Sequence, residues 1–146
     1  MGIAALILWL LTAVGGFVML GTWVAKGGAR QPRSTHLPPP VLFGHFLLAV
    51  TGLIVWIVYL ATDKDALAWS AFALLVPVAL LGFTMLIRWV PVYRAHAAPA
   101  STAAAPAAHD APAERHFPIA IVAGHGVFAV TTVVLVLLTA LGVGQS

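Results

Sequence analysis

The chain contains no cysteine and few charged residues, and both shortages exclude whole classes of function. Without cysteine there are no disulfides, no thiolate metal ligands and no cysteine nucleophile. Asp, Glu, Lys and Arg make up only 8% of the 146 residues, against about 25% in a soluble domain. No glycine-rich loop followed by lysine occurs, so the sequence offers no phosphate-binding motif. The four carboxylates all lie between apolar segments, which leaves none within a span to relay protons.

Long apolar segments occupy most of the chain instead. Hydrophobic residues make up 62% of it, and the mean hydropathy is +1.04. Since about 20 apolar residues cross a bilayer, four segments qualify: residues 3–25, 41–61, 67–90 and 117–143. The sequence therefore predicts one membrane domain, all-α, a polytopic four-helix bundle that contacts the lipid bilayer and binds no nucleic acid.

The connections between these segments differ in length and charge. A short acidic turn, residues 62–66, makes the second and third helices antiparallel neighbours. Residues 94–115 form an Ala/Pro-rich linker in which His96 and His109 are expected to be ordinary solvated side chains. Basic residues concentrate in 26–35 and 94–115, so the positive-inside rule predicts that both loops are cytoplasmic and both termini outside. The composition suits a bacterial plasma membrane.

Tryptophans mark the ends of the predicted spans. Trp23 and Trp89 fall at the ends that adjoin the basic loops, and Trp69 falls near the opposite ends. Tryptophan is enriched at both membrane–water interfaces, so aromatic belts account for all three on sequence grounds.

An internal repeat organises the chain. Residues 36–51 and 116–131 share the pattern H-x-P, then G-H, then A-V-T, and residues 16–24 match residues 82–90 at six of nine positions. The chain is thus predicted to be a duplicated two-helix hairpin. Because both copies run in the same direction, the pseudo-twofold axis should lie along the membrane normal. The second and fourth helices then face each other across that axis.

Each copy of the repeat places one histidine, His45 or His125, inside an apolar span. Histidine is costly in hydrocarbon, so an intramembrane histidine is a functional-site hypothesis. The pair suits the two axial positions of a haem b, with the second nitrogen of each ring bonded to a backbone carbonyl or a hydroxyl. Small residues beside them leave room for a flat group, although close helix packing explains small residues equally well. These residues are Gly44, Gly124, Ala49 and Ala129.

Other readings of the same residues stay open. Arg88, His36 and His116, with Arg115, are candidates for contacts to haem propionates; interfacial caps are the alternative for the two histidines. A copper site would add Met19 and Met85 to His45 and His125, because thioether and imidazole both suit copper. In a purely structural reading the two histidines hydrogen-bond across the bundle and bind nothing.

Four helices, histidines on alternate helices and small residues beside them resemble the bis-histidine membrane b-type cytochromes. That class includes membrane subunits of dehydrogenases and hydrogenases. The resemblance covers the four-helix core, about two-thirds of the chain, and rests on His45 and His125. It implies a single haem that exchanges electrons with a quinone or a partner protein, since the chain has one intramembrane pair where the commonest pattern holds two haems. The alternatives are a non-catalytic accessory subunit of a larger respiratory or oxidoreductase complex, and a copper- or haem-handling membrane protein.

Overall fold

A computed structural model describes residues 1–30, 35–97 and 111–143. Within these ranges every regular element is helical, and the predicted all-α four-helix bundle is confirmed. Each long helix is apolar and long enough to cross a membrane. The elements are α1 (Gly2–Ala25), α2 (Pro39–Thr62), α3 (Asp65–Ala97), a 3₁₀ turn (Ala113–His116) and α4 (Ile119–Ala140). His109 and most of the predicted 94–115 linker lie outside the described residues.

Prolines of the repeated H-x-P motif set where the histidine-bearing helices begin. Pro38 is the N-cap of α2 and Pro118 is the N-cap of α4, both in extended conformation. Pro39 then enters the first turn of α2, where the missing N–H costs nothing. At its other end α2 is closed by Asp63, whose left-handed backbone directs its N–H to the Tyr59 carbonyl. Only Asp63 and Lys64 separate α2 from α3, so the tight turn predicted from the sequence is confirmed.

The helices follow chain order around the bundle. α2 packs along α3, and α1 packs along α4; α3 also contacts α4, while α1 touches α2 more lightly. In the described residues α2 and α4 make no close backbone contact. They therefore occupy one diagonal of the bundle, and their inward faces oppose each other, as the repeat predicts.

Buried side chains gather at the two ends of the bundle. The "Asp63 end", where α2 turns into α3, holds the larger cluster: Ala5, Trp9, Trp56, Tyr59, Ala68, Ala71, Leu75 and Val136. The "Glu114 end", where α2 and α4 begin, holds a smaller one: Trp23, Leu37, Leu42 and Ala113. Between them, across residues 10–22, 43–51, 76–88 and 119–131, Val78 is the one buried residue. The middle of the bundle is thus the least tightly closed layer.

The outer surface is apolar, as a lipid-facing surface should be. Large aliphatic side chains with more than 60% exposure point away from the bundle on all four helices: Ile3, Val14, Leu47, Leu80, Ile87 and Val127. A water-facing surface would leave such residues without favourable surroundings. This surface and the four membrane-length helices describe a multi-pass membrane protein.

Two helices do not end where the predicted membrane spans end. α3 continues to Ala97 rather than ending at residue 90, so His96 lies in its last turn and not in a linker. The hydropathy of a span does not detect a helix that continues into water, and Pro91 does not break this one. α4 ends at Ala140, three residues early, because the chain leaves the helix at Leu141 and Gly142 takes a positive φ.

The interpretation of two tryptophans as belt residues is also corrected. Trp23 and Trp89 are buried, and their indole N–H groups donate to the Thr35 hydroxyl and the Glu114 carbonyl. They pack inside the Glu114 end and fasten loops to it. Trp69 is exposed near the Asp63 end, where an interfacial position was expected.

Candidate functional site: a histidine pair in the middle of the bundle

His45 on α2 and His125 on α4 meet across the diagonal of the bundle. Their ring centroids are 6.3 Å apart, and the ring planes are inclined by 52°. Both side chains are half-buried and lie in the loosely closed middle layer. Residues 80 positions apart in the chain thus form one pair, as the repeat predicted.

Each imidazole is anchored by one nitrogen to the backbone of a neighbouring helix. His45 Nδ1 lies 2.9 Å from the Val78 carbonyl oxygen on α3, and His125 Nδ1 lies 2.8 Å from the Thr12 carbonyl oxygen on α1. A carbonyl oxygen only accepts, so Nδ1 carries the hydrogen and donates it in both rings. Of the two predicted types of partner, a carbonyl or a hydroxyl, both rings have a carbonyl.

This anchoring determines what the other nitrogen is able to do. In a neutral imidazole whose Nδ1 is protonated, Nε2 is an acceptor. Neither Nε2 has a hydrogen-bond partner among the described residues. Two acceptors have no hydrogen to share, so neutral His45 and His125 do not hydrogen-bond to each other. A direct hydrogen bond between the two histidines is therefore excluded, whereas the bonds from each ring to a neighbouring helix agree with the structural reading.

Two glycines that the sequence analysis did not assign to the site face the rings. A Cβ added to Gly16 would lie 3.3 Å from His125 Cε1, and a Cβ added to Gly82 would lie 3.3 Å from His45 Cε1. Gly16 and Gly82 are equivalent in the internal repeat, and each lies four residues after the carbonyl that binds its histidine. The repeated spacing was visible in the sequence, but its link to the histidines needed the helix pairing.

The small residues selected from the sequence have different surroundings. A Cβ on Gly44 would meet Leu81 at an ordinary 3.8 Å, whereas a Cβ on Gly124 would meet nothing within 4 Å. Ala49 and Ala129, one turn further along their helices, are half-buried. Gly52, another turn along α2, packs against the Trp9 ring and closes the layer on the Asp63 side.

A groove of about 260 Å³ on the outer face between α1 and α4 reaches His125. Gly15, Gly124 and Phe128 form part of its wall. The residue equivalent to Gly15 in the other half of the repeat is Leu81, whose side chain lies beside Gly44. The two halves are therefore alike in how they hold the histidines but different in how they cover them.

The two methionines proposed as additional copper ligands, and two phenylalanines of α2, lie as follows. Met85 packs, partly buried, against the Trp23 cluster of the Glu114 end, and Met19 is half-buried on α1. Phe43 is 43% exposed and touches the Trp23 ring edge-on. Phe46 meets Phe17 in the same way, with centroids 5.7 Å apart. Nothing in this geometry assigns a methionine sulfur to the imidazole pair.

The Glu114 end contains a buried carboxylate that sequence reasoning had dismissed as a loop residue. Glu114 has no exposed surface. Its carboxylate accepts hydrogen bonds from the Thr35 hydroxyl at 2.9 Å and from the backbone N–H of His36, and lies 3.3 Å from His36 Nδ1. The signal available in the sequence was its place just before the second H-x-P motif, which becomes informative only when Thr35 and His36 lie beside it.

The residues predicted to contact propionates lie at the same end of the bundle, and His36 contacts the Glu114 carboxylate. Arg88 is exposed and donates to the His36 carbonyl at 3.3 Å. His116 contacts the Ala113 carbonyl through Nδ1, and Arg115 Nε lies 3.4 Å from His116 Nε2. Neither helix start has a side-chain cap, so the interpretation of His36 and His116 as helix caps is wrong. Cationic side chains do gather at the end of the bundle that adjoins the histidine layer.

Within the described ranges, no group of three or more His, Asp or Glu side chains is placed to hold a metal ion. A metal at the histidine pair would therefore take two protein ligands. Comparisons with protein-family models, with curated proteins and with solved structures give no match.

Proposed function

We propose that the protein is a single-haem, b-type cytochrome-like membrane protein in which His45 and His125 are the two axial ligands. It exchanges electrons with a quinone or a partner protein in a bacterial plasma membrane. The observation that carries the proposal is the pair itself. Two imidazoles oppose each other, both fixed through Nδ1 and both with an unpartnered Nε2.

The spacing of the rings supports one shared metal. Two metal–nitrogen bonds of about 2 Å, together with the short distance from each nitrogen to its ring centre, give a centroid separation of roughly 6 Å. The rings are 6.3 Å apart. The carbonyl contacts add the outer hydrogen bond that metal-binding histidines generally make. The observed centroid separation therefore agrees with one metal ion between the two rings.

The number of protein ligands favours haem over a bare ion. A protein-bound zinc ion usually has three or four protein ligands, and the described residues supply two here. Haem brings four nitrogens of its own and accepts two axial histidines. When bound, it supplies one-electron redox chemistry. We place the flat macrocycle in the loosely closed middle layer, which has few buried residues and holds Ala49 and Ala129.

The basic side chains at the Glu114 end suggest that the carboxylates of a bound haem point toward that end. Arg88, Arg115, His36 and His116 lie at that end, beside the histidine layer. Carboxylates of a bound cofactor would be stabilised there by charge-assisted hydrogen bonds. We place this end in the cytoplasm, because the loops at that end carry most of the basic residues.

The test is an absorption spectrum of protein expressed with ample haem. We expect a reduced b-type band in the wild type, and loss of bound haem in His45→Ala and in His125→Ala. His96→Ala is the control, because His96 is exposed in the last turn of α3; this variant should keep the band, as should His109→Ala in the Ala/Pro-rich linker. If the wild type binds no haem, or if both single variants keep full occupancy, the proposal is wrong.

A further inference from the structure

We infer that Gly16 and Gly82 are positioning residues: each uncovers a helix carbonyl that holds one imidazole in its Nδ1–H form. The inference rests on the proposed function only where it concerns a bound metal. The hydrogen bonds themselves belong to the protein alone.

Helix geometry explains why a glycine is needed at these two positions. A carbonyl in an α-helix accepts from the N–H four residues later, and a second donor has to approach it from the side. The side chain of a helical residue lies over the turn N-terminal to its own Cα. A side chain at position 82 would therefore cover the Val78 carbonyl, and one at position 16 would cover the Thr12 carbonyl. Glycine leaves both carbonyls open to the imidazoles.

The contact distances show how little room is left. With a Cβ on Gly16 or Gly82 only 3.3 Å from the facing Cε1, alanine would push the ring by a few tenths of an ångström. A leucine would occupy the space of the ring itself. Gly21 on α1 and Gly126 on α4 differ from them, because an added Cβ there meets nothing within 4 Å.

The same arrangement occurs twice and crosses between the repeats. His45 of the first half is held by α3 of the second, and His125 of the second half is held by α1 of the first. Thr12 and Val78 are 66 positions apart, as are Gly16 and Gly82. Because both Nδ1 atoms are engaged in this way, both Nε2 lone pairs remain for one shared ligand.

The first experiment determines the tautomers of His45 and His125 in the metal-free protein. Apo protein labelled with ¹⁵N-histidine, in nanodiscs, is observed by NMR, which distinguishes Nδ1–H from Nε2–H. We expect Nδ1–H for His45 and His125 in the wild type, and loss of that signature for His125 in Gly16→Leu and for His45 in Gly82→Leu. The controls Gly21→Leu and Gly126→Leu should match the wild type. An Nε2–H wild type, or leucine variants with unchanged signals, would overturn the inference.

The second experiment measures haem binding by the glycine variants. Since outer partners of metal-binding histidines contribute about 10- to 100-fold to affinity, Gly16→Leu and Gly82→Leu should weaken haem binding by roughly that factor. Gly16→Ala and Gly82→Ala, which are expected to fold normally, should bind haem with an altered electron paramagnetic resonance spectrum, because the rings turn. An unaltered spectrum in both alanine variants counts against the positioning role. If the wild type shows Nδ1–H but binds no haem, the proposed function fails and the positioning role stands.

Discussion

The carboxylate of Glu114 lies 3.3 Å from His36 Nδ1 and joins the segment before α4 to the segment before α2. It also accepts from the Thr35 hydroxyl, which in turn accepts from the Trp23 indole. A buried carboxylate is costly unless it is hydrogen-bonded. These contacts offset that cost, and they fix the starts of the two helices that carry His45 and His125.

Replacing Glu114 by alanine should lower the free energy of unfolding by about 2–3 kcal/mol, because the Thr35 hydroxyl and the His36 N–H lose a charged acceptor. Glu114→Gln should cost less, since its single amide oxygen still accepts from one of the two donors. The measurement is unfolding by a denaturing detergent in mixed micelles. His116→Gln is the control: its Nδ1 contacts the Ala113 carbonyl rather than this carboxylate. An alanine variant as stable as the wild type would show that Glu114 does not fasten the helix starts.

The turn after α1 gives a second stability prediction. A Cβ on Gly28 would overlap the buried Trp23 ring, and that ring is held by its hydrogen bond to Thr35. Gly28→Ala should therefore destabilise the protein by about 1–3 kcal/mol, as overpacking does.

Gly21→Ala is the matched variant for this test. An added Cβ at that position meets nothing within 4 Å. Alanine is the better helix former, so this variant should be neutral or more stable by up to about 1 kcal/mol. Equal stability of the two variants, measured in the same mixed micelles, would mean that the Trp23 ring moves aside freely.

The hydrophobic pattern and the internal repeat were enough to predict several parts of the molecule from the sequence. Four spans, the tight turn between α2 and α3, and the opposition of His45 to His125 all come from apolar segment length and from the repeated G-H motif. Metal-binding histidines generally make an outer hydrogen bond. That rule predicted the type of partner for each ring, a carbonyl or a hydroxyl, but not which residue supplies it.

The remainder depended on contacts between distant segments. The role of Gly16 needs the knowledge that α1 packs against α4, and the role of Gly82 needs the packing of α3 against α2. Glu114 looked like an ordinary loop carboxylate because its donors, Thr35 and His36, lie almost 80 positions away in the chain. α3 continues past the predicted span because hydropathy measures the apolar span and not the helix.

Orientation in the membrane is a separate prediction. A reporter active only in the cytoplasm should be active when inserted after Arg30 and silent when fused after Ser146 or inserted after Lys64. The reason is the positive-inside rule: the segments at the Glu114 end carry Lys26, Arg30, Arg33, Arg94 and Arg115, whereas the turn at Lys64 has two aspartates. Activity after Ser146 would show that the orientation is opposite to the predicted one and that the histidine layer lies nearer the other face of the membrane.

The last prediction separates haem from copper. Met19→Leu and Met85→Leu, singly and together, should leave the b-type spectrum and the haem content nearly unchanged. Leucine and methionine have similar volumes, so cores usually tolerate this exchange. Met85 packs against the apolar Trp23 cluster. A haem iron completes its coordination with its own macrocycle and two histidines, so the sulfurs have no part in it. Copper bound by two imidazoles would bind more tightly if the methionine thioethers also coordinated it. Metal content of the purified variants, measured beside the spectrum, decides the matter: loss of bound copper in the double methionine variant, with no haem in the wild type, would favour the copper site and reject the haem proposal.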